Sequence, residues 1–145
     1  MRAHSLRRLL WAGPAATGAA ILVIGLYYAV SKALGEQYLL PVEGNSSHFS
    51  PMSVTAPAIA TLAAGLVATV FFALLIRFAR KPETVFLSVA VTALLLSFGG
   101  PSSLPGVTMQ TKILLSGMHV LAAVIITGGI ILLSREKRKH ELPRI

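Results

Sequence analysis

One imidazole stands where few ionisable groups are found. His119 interrupts "LSGMHVLAAVIITGGIILL", a run of apolar and small residues long enough to cross a bilayer. Ionisable side chains at such depth mark ligand sites or proton pathways, or they hydrogen-bond helices together. On a helix, Lys112, Ser116, His119, Ala123 and Thr127 fall within about 80° of one another. One polar-to-small stripe therefore runs inward from the end nearest Lys112, and His119 lies about 10 Å along it. The same depth in two other apolar runs reaches Thr92 and Thr61. The expectation is a polar layer of His119, Ser116, Thr92 and Thr61. In it His119 turns inward onto a hydroxyl or backbone carbonyl, since lipid offers no hydrogen bond. Two readings of that layer stand: a bond that locks helices together, or a site.

The rest of the titratable inventory is thin. The chain has no cysteine and no aspartate, which excludes disulfides, thiolate chemistry and CxxC redox pairs. None of Glu36, Glu43, Glu83, Glu136 and Glu141 lies deep in an apolar run, so the membrane carboxylate that serves proton-coupled exporters is missing. His4, His48 and His140 lie outside the apolar runs, leaving one buried imidazole where a bis-histidine haem needs two. No metal ligand set and no catalytic constellation is present, and neither cofactor nor metal is expected.

These residues must be positioned by membrane helices. Hydrophobic residues make up 54% of the 145 and charged residues only 12%, against about 25% charged in a soluble domain. Mean hydropathy is +0.75. A water-soluble fold with so little charge could not cover its surface. Four segments reach the length of about 20 apolar residues that a span requires: roughly 9–31, 55–76, 83–100 and 112–134. The third has an apolar part of only about 22 Å and reaches full length through Pro82, Glu83, Gly99 and Gly100. The expected fold is all-α, one transmembrane domain of four helices in an antiparallel bundle.

Charge sets the orientation. Net charge is +8, yet the basic residues flank apolar runs as membrane anchors do, which argues against a nucleic-acid partner. Arg2, Arg7 and Arg8 precede the first run. Arg77, Arg80 and Lys81 separate the second from the third. Arg135, Lys137, Arg138, Lys139 and Arg144 follow the fourth. Only Lys32 and Lys112 fall on the other side. The positive-inside rule then makes both termini and the middle loop cytoplasmic. Arg77, Arg80, Lys81, Arg135, Lys137, Arg138 and Lys139 become candidate contacts for anionic lipid. The first run outlasts the h-region of a signal peptide, and no small-x-small site ends it, so it reads as a retained span. Trp11 and Tyr27/Tyr28 at its two ends fit an aromatic belt.

The segments between spans are uneven. The outer loop, 32–54, holds "GEQYLLPVEGNSSHFSPMS" with a glycosylation sequon at Asn45, and "GGPSSLPGVTMQ" reads as an irregular turn. Helix packing in lipid relies on small residues. The second span offers Ala60, Ala64 and Ala68 at four-residue spacing, with Thr61, Gly65 and Thr69 beside them. This stripe suits a neighbour in the same bundle or a second copy. Gly13-Pro14 is expected to open or kink the first helix, and Gly128-Gly129 to permit a close contact in the fourth.

The stretches "LLWAGPAATGAA", "APAIATLAAGLVATVFFALLIRFARKP" and "LLSGMHVLAAVII" resemble a family of small bacterial four-helix membrane proteins described only as a domain of unknown function. The resemblance runs from about Leu9 to Leu133. It implies a bacterial plasma membrane, a Met118-His119 pair in the last helix and a variable outer segment, and it implies no activity. The expected function is that of a non-enzymatic bundle in the lipid bilayer binding a lipid-like molecule or a membrane partner, with a homo-oligomer as one option. The alternatives are a small transporter or channel using the layer around His119, and a haem- or quinone-binding subunit.

Overall fold

The computed structural model describes residues 5–42 and 45–135, with the side chains of 45–47 left aside. In chain order the elements are α1 (Leu6–Ala33), β1 (Leu39–Val42), β2 (Asn45–Pro51), α2 (Thr55–Phe78), α3 (Pro82–Ser97), α4 (Gly99–Ser103) and α5 (Met109–Ser134). Among the described residues four helices are long and apolar enough to cross a membrane: α1, α2, the α3–α4 pair taken as Pro82–Ser103, and α5. The third gains its length through Gly99 and Gly100, with only Phe98 between α3 and α4.

Local chemistry explains the boundaries. The sequence "ALGEQ" ends α1 in a Schellman motif: Gly35 takes φ 101°, its N–H bonds Lys32 O, and Glu36 N–H bonds Ser31 O. Pro82 opens α3 at a position where a missing N–H costs nothing, and it bars Lys81 from helical geometry. Thr108 caps α5, its hydroxyl accepting from Thr111 N–H at 3.2 Å.

Helix α1 is the hub of the packing. On one side Thr17 stands where a Cβ on Gly65 would go, and Thr69 stands where a Cβ on Gly13 would go. On the other, Ala16 lies against Gly129 and the Tyr27 hydroxyl against Gly117. Small residues thus let backbones approach, as in membrane helix pairs. Around these contacts lie two apolar clusters. One joins Leu9, Ala16, Ala20, Phe72, Phe86, Ile126, Ile130 and Ile131. The other joins Ile24, Tyr28, Tyr38, Leu115 and Met118 near the hairpin.

The fold is helical as expected, and 39–51 adds an antiparallel hairpin that pairs Leu39 with Pro51 and Leu40 with Ser50. Two expectations need correction. Helix α1 starts at Leu6, so Gly13-Pro14 lies inside it and does not open it, with Thr17 Oγ1 donating to Gly13 O at 2.8 Å. The face of α2 turned to α1 carries Thr61, Gly65 and Phe72, while Ala60 and Ala64 are exposed and Ala68 is half-buried. The stripe of alanines lies one residue, about 100°, away from the contact.

Candidate functional site

His119 is half-buried on α5, and its Nδ1 lies 2.8 Å from Leu115 O. A carbonyl only accepts, so Nδ1 carries the proton of this bond. No described group hydrogen-bonds Nε2. The expected layer is not assembled. Ser116 donates to Lys112 O at 2.9 Å, Thr92 to Ser88 O at 2.9 Å and Thr61 to Pro57 O at 2.7 Å. Every one of the four side chains turns to the carbonyl four residues before it. That back-bonding satisfies a hydroxyl within its own helix. Thr92 is therefore free to be exposed, about 120° round α3 from the buried Phe86.

Two crevices lie beside these groups. The first, about 430 Å³, is lined by Ser102, Met109, Lys112, Ile113 and Ser116. This is within the range of about 300–1,000 Å³ typical of ligand clefts. The Lys112 ammonium donates to Ser102 O at 3.1 Å. The second, about 190 Å³, continues the α1–α2 contact beyond Thr17 and Gly65, where Ile21, Ile24, Gly25, Val54, Thr55, Pro57 and Ala58 form a largely apolar wall. Gly25 leaves this gap open, since nothing approaches its missing Cβ within 4 Å.

A polar knot that the sequence did not announce closes the hairpin end. Tyr38 is buried with φ 48°, an unusual angle for a residue other than glycine. Its ring stacks on Tyr28 at 5.1 Å, and its hydroxyl meets Ser31 Oγ at 2.6 Å. Its N–H donates to Glu36 Oε1 at 3.1 Å, and its carbonyl accepts from Met52 N–H. The Tyr28 hydroxyl donates to Met52 O and Thr111 Oγ1 to Glu36 Oε1, at 2.6 and 2.7 Å. So many contacts over-determine the angle and offset its strain. Burial pushes the Tyr38 phenol above its ordinary value of 10.0, against a smaller opposing effect of the Ser31 hydrogen bond.

A family of unknown function, DUF6069, matches residues 4–139. The chain belongs to that family. No curated protein and no solved structure matches it.

In this DUF6069 chain the opposite end of the helices is also tied. Arg135 meets Glu83 with Nε and Nη2 at 3.0 and 3.2 Å, and Arg8 donates to Arg135 O at 2.6 Å. Arg135, expected at the lipid surface, is thus engaged across α3 and α5. Arg77, Arg80 and Lys81 are exposed. Lys137, Arg138 and Lys139 lie outside the described residues. Neither the Glu83–Arg135 pair nor Tyr38 was singled out by sequence reasoning. Tyr28 was noted only as an interfacial aromatic.

Proposed function

We propose that this is a multi-pass protein of the bacterial plasma membrane, an antiparallel four-helix bundle with both termini cytoplasmic, that binds a lipid-like molecule and performs no catalysis. The paired contacts support the antiparallel arrangement: along α1 the order Gly13, Thr17 meets the order Thr69, Gly65 along α2. The clustering of Arg8, Arg77, Arg80, Lys81 and Arg135 away from the hairpin supports the orientation. Exposed Ala60 and Ala64 offer a small-residue face to a second copy or another membrane helix.

One observation carries the lipid reading. The α1–α2 crevice is lined almost entirely by apolar atoms, with Thr55 the one hydroxyl-bearing side chain among its lining residues and no charged group, so in a bilayer it suits an acyl chain. Purification in a lipid-preserving polymer disc, followed by lipid extraction and mass spectrometry, tests it. Enrichment of one lipid class over the bulk membrane is expected. Discs whose lipids match the bulk composition would count against the proposal.

A transporter using His119 is the second reading, favoured by the unengaged Nε2 at membrane depth. A measurable liposome flux that His119→Ala abolishes, with helical content unchanged, would raise it above the first.

A further inference from the structure

The two crevices differ in chemistry, and the difference names a ligand. The α1–α2 crevice has no charged group in its wall. The crevice between α4 and α5 is lined by Lys112, Ser102 and Ser116 together with the apolar Met109 and Ile113. Lys112 spends one N–H on Ser102 O, and no described carboxylate pairs with it. An ammonium carries three donors, so two remain to be met from outside. Ile113 is 60% exposed and Met109 72%. A free inorganic anion would satisfy the charge but leave those apolar side chains bare.

We infer that the α4–α5 crevice is a headgroup site for an anionic phospholipid, its phosphate against Lys112 and an acyl chain along Met109 and Ile113. The site lies at the start of α5, one turn from the residue that caps it, where a span enters the interface. A lysine there keeps its stem among apolar atoms and its charge at headgroup level. Lys32 supplies the comparison. It stands at the same end of the molecule, but its ammonium lies over the Tyr28 ring at 5.6 Å and it lines neither crevice. The site, not the charge alone, makes the preference. His119 follows Ser116 on the same stripe, one turn further in, and puts its free Nε2 beyond the headgroup level.

This inference rests on the lipid-binding reading, and its test separates the two. The full chain is placed in discs holding equal amounts of phosphatidylglycerol and phosphatidylcholine, and retained lipid is counted by native mass spectrometry. The wild type and Lys32→Gln are expected to retain phosphatidylglycerol preferentially. Lys112→Gln is expected to lose that preference about tenfold, the worth of one charge-assisted hydrogen bond. Lys112→Arg, which keeps the charge, should keep the preference and shows that the position tolerates change. Equal retention of both lipids by the wild type would overturn this site and leave lipid binding standing. Retention of neither would overturn the lipid-binding reading itself. An unchanged preference in Lys112→Gln, or an equal loss in Lys32→Gln, would overturn the site. So would release of the lipid by inorganic phosphate alone.

Discussion

Thr17 fills the space that a Cβ on Gly65 would need, and its hydroxyl is turned back to Gly13 O. The same arrangement recurs four residues along, where Thr69 covers Gly13 and bonds Gly65 O at 2.7 Å. Two Gly-x-x-x-Thr pairs thus interlock, each glycine receiving the threonine of the other helix. Gly65→Ala should therefore force α1 and α2 apart and cost about 1–3 kcal/mol. Thermal unfolding in mild detergent would read this. Gly18→Ala, at a position with nothing within 4 Å, is the control and should be close to neutral.

The hairpin should come loose in alkali. Tyr38 holds its proton more tightly in the folded chain, because burial disfavours the phenolate. A raised folded pKa means that the contribution is whole below pH 10, the unfolded value, and is lost as pH climbs through the raised one. Tyr38→Phe should flatten that alkaline loss while weakening the fold at neutral pH by about 1 kcal/mol, the worth of its hydrogen bond to Ser31. Stability curves identical in slope above pH 10 would refute this account of Tyr38.

Glu83 and Arg135 are 52 residues apart and meet through two hydrogen bonds. Their side chains are about a third exposed, so solvent screens the pair. Glu83→Gln should cost about 1 kcal/mol, and exposed Arg80→Gln much less. Chemical denaturation of the two variants side by side gives the comparison.

His119→Leu should leave stability within about 0.5 kcal/mol. Its hydrogen bond lies within α5, so removing the imidazole unlocks no neighbouring helix. A large destabilisation would mean that His119 holds another helix after all.

How much of this was legible beforehand varies with the physics. The apolar runs announced four long helices, because lipid-length hydropathy is a property of the segment alone. Which face of α2 turns inward was not legible. The alanine stripe and the Thr61–Gly65–Thr69 stripe share one period and differ by one residue, and only the partner Thr17 on α1 distinguishes them. Thr92 was expected in a layer with His119, yet it bonds Ser88 O just as Ser88 bonds Thr84 O. A hydroxyl that bonds its own helix needs no neighbour, so its sequence position says nothing about its direction. The hairpin was hidden because "LLPV" and "NSSHFSP" lack alternation and carry prolines at 41 and 51. Tyr38 was hidden for a related reason. Its φ of 48° follows from contacts with Tyr28, Ser31 and Met52, none of them visible as a local motif.

The central claim is a bundle that spans the membrane with its hairpin outside and its α2–α3 turn inside. The chain contains no cysteine, so a single introduced one reports alone. Ser50 on β2 and Arg80 between α2 and α3 are both exposed and suit the purpose. With a membrane-impermeant maleimide on intact cells, Ser50→Cys should label at once and Arg80→Cys only after permeabilisation. Labelling of Arg80→Cys in intact cells, or protection of Ser50→Cys, would contradict the account.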